Sequence, residues 1–116
     1  MYFSLIKDAT NMSMYGDIPE VLWASEDEAE TYYGDEKDGG MLCEKLLPAM
    51  YENMEDCLLD YDDVDYYDAQ KCVPLKKILE GKLQEPCEPR LRELYTILYG
   101  YVKRAIELGT GVVIEL

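Results

Sequence analysis

Leu91-Arg92-Glu93-Leu94-Tyr95-Thr96-Ile97-Leu98-Tyr99-Gly100-Tyr101-Val102-Lys103-Arg104-Ala105-Ile106-Glu107-Leu108, followed by Gly109-Thr110-Gly111-Val112-Val113-Ile114-Glu115-Leu116, decides the fold. Leu91, Leu94, Tyr95, Leu98, Val102, Ala105 and Ile106 recur at steps of three and four, which places them on one face of a helix. Glu88 is its cap, Pro89 suits the first helical position and Gly109 suits the stop. Beyond Gly109 the period drops to two, and Val112, Ile114 and Leu116 share one face of a strand. At the other end, Tyr2-Phe3-Ser4-Leu5-Ile6 reads as a strand with Phe3 and Leu5 on one face. Two terminal strands with helices between them predict an α+β fold. It is mainly helical, with the N- and C-terminal strands in one small sheet covered by helices. The long helix supplies a right-handed crossover if the two strands are parallel neighbours. A length of 116 residues predicts a single domain, 1–116.

Between these ends the signals are mixed. Residues 8–20 are polar, contain Gly16 and Pro19, and read as a loop. Ile18, Val21, Leu22 and Trp23 form an apolar cluster expected to dock on the core. Ser25 and Glu28 match a capping box and predict a short helix ending near Tyr33-Gly34. Residues 35–40 are acidic and Gly-containing, and read as a mobile loop. From Met41 to Tyr61 the pattern is helical, with Leu47, Met50, Met54, Cys57, Leu58 and Tyr61 on one face. Pro48 must kink that segment or start a new helix. Residues 60–68 read as a loop running into a short helix, and Pro74 opens another helix carrying Leu75, Ile78, Leu79 and Leu83.

Charge is distributed very unevenly. Residues 1–40 carry ten acids against Lys7 and Lys37, and residues 41–70 carry nine against Lys45, a net of −8 in each. Residues 71–116 carry a net of +2, so the −14 of the chain belongs to its first 70 residues. Self-repulsion of this size opposes compaction, and the field attracts a cationic partner while repelling nucleic acid and anionic membrane. Eleven Tyr against one Phe and one Trp add an interface-type composition. Tyr95, Tyr99 and Tyr101 are expected to line the core instead.

Catalytic patterns are absent. The chain has no His, no phosphate-cradling or dinucleotide glycine motif and no Gly-x-Ser-x-Gly, so it reads as a non-enzyme with no cofactor. Asp60, Asp62, Asp63, Asp65 and Asp68 do not meet the calcium-loop pattern, because its glycine position falls on Asp65. Cys43, Cys57, Cys72 and Cys87 form no Cys-x-x-Cys and are read as reduced, mostly buried thiols, with two disulfides the alternative. No apolar run reaches the roughly 18 residues of a membrane span, and no export leader is visible, which predicts a cytoplasmic protein.

Tyr32-Tyr33-Gly34-Asp35-Glu36-Lys37-Asp38 resembles the barstar family of intracellular ribonuclease inhibitors. In that family Tyr-Tyr-Gly, an acid and an Asp three residues later lead into a helix that plugs the nuclease active site. The resemblance implies partner contacts for Tyr32 and Asp38. It extends loosely to the closing helix and strand around Glu107-Leu108-Gly109 and Val112-Val113-Ile114. Leu42 stands where the family has a second Asp, and Gly39-Gly40 is expected to interrupt the helix. More broadly, a small, very acidic chain without catalytic motifs is similar to bacterial immunity proteins. The expected function is therefore an acidic immunity protein that binds a basic toxin domain, a nuclease, and occludes its active site. Its contacts would come from Asp35, Glu36, Asp38, Asp60, Asp62, Asp63, Asp65 and Asp68 by charge. Tyr32, Tyr33, Tyr66 and Tyr67 would supply packing. The rivals are a nucleic-acid mimic that inhibits a DNA-binding enzyme and an acidic scaffold or regulatory subunit that uses an apolar face.

Overall fold

The computed structural model describes all 116 residues. Its elements in chain order are β1 (Tyr2–Ile6), β2 (Met14–Tyr15), β3 (Ile18–Pro19), β4 (Ala29–Tyr33), α1 (Glu36–Lys45) and α2 (Leu47–Asn53). They continue with β5 (Val64–Asp68), α3 (Ala69–Gln84), α4 (Pro89–Leu108) and β6 (Gly111–Glu115). The architecture is α+β, with a four-stranded antiparallel sheet in the order β4-β1-β6-β5 and a separate β2–β3 hairpin.

The closing stretch forms the expected helix and strand, although Glu88 makes no side-chain capping bond and Ile106 is only half-buried. α4 begins at Pro89 and ends where Gly109 turns left-handed, at φ 69°. Leu91, Leu94, Tyr95, Leu98, Val102 and Ala105 are buried on its inner face. Phe3 and Leu5 of β1 join Val112, Ile114 and Leu116 in the main core beneath the helices. β1 and β6 are indeed neighbours, but they run antiparallel, so no parallel crossover exists. Two helices, α3 and α4, separate β5 from β6, and the chain returns antiparallel to β5.

Several local expectations are overturned. The Ser25 amide does donate to Glu28 Oε1 at 2.9 Å, but this stops at a single turn. Ala29–Tyr33 is strand β4 instead of a helix, because Thr31, Tyr32 and Tyr33 suit the pleated edge of β1. Residues 35–40 are not a loop: Asp35 caps α1, which runs on through Gly39 and Gly40. The helical reading of 41–61 divides at Pro48, in the first turn of α2, and stops at Asn53, leaving Leu58 and Tyr61 exposed. Residues 64–68 form edge strand β5 instead of a short helix. α3 starts at Ala69, capped by Asp68, and Pro74 lies inside it instead of opening it.

The sheet's other face is covered by residues 8–28, which include the β2–β3 hairpin. There Ile6, Val113 and Val21 form a small second core with Ile18 packed against it. Leu22 and Trp23, expected to dock on the core with Ile18 and Val21, are 74% and 86% exposed. Tyr95 and Tyr101 are buried, and half-buried Tyr99 donates its hydroxyl to Glu80 Oε2 at 2.9 Å. All four cysteines are free thiols, but only Cys72 is buried. Cys57, on a non-helical segment, is part-exposed. No helix is long and apolar enough to cross a membrane.

Candidate functional site

The Tyr32–Asp38 motif is built at the junction of β4 and α1. Asp35 and Asp38 cap each other's backbone. The Asp38 amide donates to Asp35 Oδ1 at 2.8 Å, and the Asp35 amide donates to Asp38 Oδ2 at 3.1 Å. This is a capping box with Asp in the place usually held by Glu or Gln. Asp38 is also clamped bidentately by Arg90, from Nε at 2.9 Å and Nη2 at 2.7 Å. The same Nη2 donates to the Tyr32 hydroxyl at 2.9 Å. The Arg90 hydrogen bonds hold the Asp38 carboxyl at about 2, below the usual carboxylate range, against the opposing effect of burial. Tyr32 and Asp38, the two residues the resemblance assigns to a partner, are thus committed to joining α1 to α4. Asp35, Glu36 and Tyr33 remain exposed.

The second stretch lies between α2 and α3. Asp60, Asp62 and Asp63 are exposed on a turn in which Asp62 has φ 62°. Asp60 accepts from the Tyr61 amide at 2.7 Å, and Asp63 accepts from the Val64 amide at 2.9 Å. Such short local bonds from Asp side chains stabilise turns. Asp65 is half-buried on β5, and Asp68 caps α3 through the Lys71 amide at 2.9 Å. Tyr67 is buried under the helices, its hydroxyl 3.6 Å from Cys57 Sγ, and burial pushes its ionisation well above the ordinary tyrosine value. Tyr66 is on the opposite face, where its ring fills the space beside Gly111 that a Cβ would occupy. Among the four tyrosines expected to face a partner, only Tyr33 is well exposed.

The sheet brings Tyr33–Glu36 and Asp60–Asp63 to one end of the molecule, whereas Asp68 lies at the other end of β5, opposite Gly111. Tyr33, Tyr2, Glu115 and Val64 form one cross-strand row over all four strands. Gly34-Asp35-Glu36 follows directly after Tyr33, and Asp60–Asp63 directly precedes Val64. Three inter-strand steps separate the outer strands of that row, roughly 14–15 Å. The Leu116 amide donates to the Asp63 carbonyl at 3.1 Å. On its other side, a Cβ on Gly39 would stand 2.8 Å from the Leu116 carbonyl oxygen. Glu115, absent from the sequence reading, lies between the two stretches. Its carboxylate joins burial in raising the ionisation of Tyr2. Of all the carboxylate side chains, only Glu30, Asp38, Glu44 and Glu93 pair with a cation in the molecule. Asp35, Glu36, Asp60, Asp62, Asp63 and Glu115 therefore make an unneutralised anionic ridge.

Arg90 is the other residue that sequence reasoning missed. It lies 52 positions from Asp38, and no local pattern links them. No cluster of carboxylate or thiol groups is arranged to hold a metal ion. No family model matches the chain, and neither a curated protein nor a solved structure is similar to it.

Proposed function

We propose that this chain is a cytoplasmic immunity-type protein that binds a basic toxin domain, a nuclease, and occludes its active site. The observation that carries this reading is the anionic ridge, in which two acidic stretches distant in sequence converge on one end of the sheet without internal cations. Unpaired carboxylates gathered beside one end of the sheet repel one another, and a partner surface of Lys and Arg relieves that repulsion. A phosphate-binding cleft offers such a surface. Asp35, Glu36, Asp60, Asp62 and Asp63 supply the charge in this reading, and Tyr33 supplies exposed aromatic area.

The test is co-production with the product of the neighbouring reading frame. The expected result is a basic domain that is toxic alone, is harmless with this chain and forms one tight complex with it. A neighbouring product that neither binds nor is neutralised overturns the proposal. Binding to several DNA-binding proteins in competition with DNA would instead identify a nucleic-acid mimic.

A further inference from the structure

Beside the ridge, on the face of the sheet away from the helices, lies a hollow of about 160 Å³. Its walls come largely from the β2–β3 hairpin and the turn that follows it. Gly16, at φ 60°, and Asp17 make the two-residue turn of the β2–β3 hairpin. The Glu20 amide then extends the ladder to the Ser13 carbonyl at 2.8 Å. Next, the Ala24 amide closes on the Val21 carbonyl at 3.2 Å, leaving Leu22 and Trp23 as the two central residues of a turn. Gly, Pro, Asn, Asp and Ser dominate such positions, so turn chemistry does not account for two large apolar residues there. Val21 enters the small core, while Leu22 and Tyr15 stay about three-quarters exposed, at 74% and 75%. They face Tyr2 and Val64 across the hollow, with Glu20 on its lining. Tyr2 and Val64 flank Glu115 in the cross-strand row, so the hollow opens directly onto the anionic ridge.

We propose that this hollow is the anchor subsite for an arginine side chain of the basic partner. The inference rests on the proposed function and deepens it. The hollow's dimensions suit one long side chain. Its walls offer apolar and aromatic surface to an aliphatic stem, and Glu20 on the lining offers a carboxylate to a guanidinium, with Glu115 between Tyr2 and Val64 in the adjoining row. Tyrosine faces favour a cation further. Residues 8–28 contain six acids and no Lys or Arg, which disfavours an acidic peptide, and a second copy of a −14 chain brings like charge to like.

The experiment is an amide NMR titration at low salt. Its probes are a short blocked arginine-rich peptide and the same peptide with neutral, isosteric citrulline at every arginine. The arginine peptide is expected to shift the amides of Tyr2, Tyr15, Leu22 and Val64, and the citrulline peptide to leave them in place. Leu22→Ala and Glu20→Gln, both at exposed side chains, should each weaken binding roughly fivefold or more without altering the melting temperature. Equal binding of the citrulline peptide overturns the arginine assignment. Binding confined to Asp35, Glu36 and residues 60–63, indifferent to Leu22→Ala, overturns the subsite and leaves the proposed function standing. Absence of binding by the arginine peptide overturns both.

Discussion

Asp38 is the one buried carboxylate of the acidic half, and it is paired with Arg90. Removing the charge should therefore cost stability, although the chain as a whole carries too much of it. Asp38→Asn is expected to lower stability at neutral pH by about 1.5–3 kcal/mol, as for hydrogen bonds to charged groups. The sign with pH follows from the depressed carboxyl. Its folded value of about 2 lies below the ordinary value of about 3.9, so the folded state binds its proton later than the unfolded state. Its contribution is complete above about pH 5 and fades as pH falls towards 2. Urea melts should show the gap between wild type and Asp38→Asn narrowing over that range. A gap that stays constant would mean that the Arg90 clamp does not set the Asp38 carboxyl. The two helical glycines give a paired prediction. Alanine favours a helix by up to about 1 kcal/mol over glycine, and Gly40 faces open space, so Gly40→Ala should raise the melting temperature. At Gly39 a Cβ would stand 2.8 Å from the Leu116 backbone oxygen, so Gly39→Ala should lower it. If both variants melt higher, α1 does not abut the end of β6.

At the scale of elements, what could be read from the sequence depended on how completely an element was buried. α4, β1 and β6 form the middle of the core, and their apolar periodicity was unambiguous because each presents its apolar face to the interior. The two edge strands were missed for the opposite reason. In β4 the glutamate and threonine of Ala29–Tyr33 diluted the pattern, and the Ser25/Glu28 capping signal, formed but limited to one turn, favoured a helix. In β5 the aspartates at 65 and 68 hid the strand-forming Val64, Tyr66 and Tyr67. Edge strands commonly carry such charge, which discourages further pairing. The clamp from Arg90 to the β4–α1 junction had no local signature at all. β6 sits between β1 and β5, so its loss leaves both without their shared neighbour. Deleting residues after Gly109 removes Val112, Ile114 and Leu116, each worth roughly 1.5–3 kcal/mol when fully buried, from a typical total of about 5–15 kcal/mol. The 1–109 fragment is expected to be unfolded or aggregated by circular dichroism and light scattering. A cooperatively melting fragment would show that β6 is dispensable to the sheet.

For the whole molecule, charge and fold act against each other. The −14 net charge opposes compaction, and the carboxylates at one end of the sheet are unneutralised. The acidic composition was plain in the sequence. Its convergence was not, since only the strand order places Asp35 and Glu36 on the same end as Asp60–Asp63. Replacing Glu36 with Gln and Asp60, Asp62 and Asp63 with Asn preserves size while removing four exposed charges. Far-UV spectra should be unchanged, and the melting temperature at low salt should hold or rise as self-repulsion falls. A clear fall would assign those carboxylates to holding the fold. A ridge that meets a cationic partner should set the association rate, measured between this fourfold variant and the basic domain of the neighbouring reading frame. Measured by stopped flow, the variant should associate roughly tenfold or more slowly than wild type at low salt, with the two rates converging as salt screens the field. Equal rates at low salt would contradict the account and leave the acidic ridge as a solvated surface.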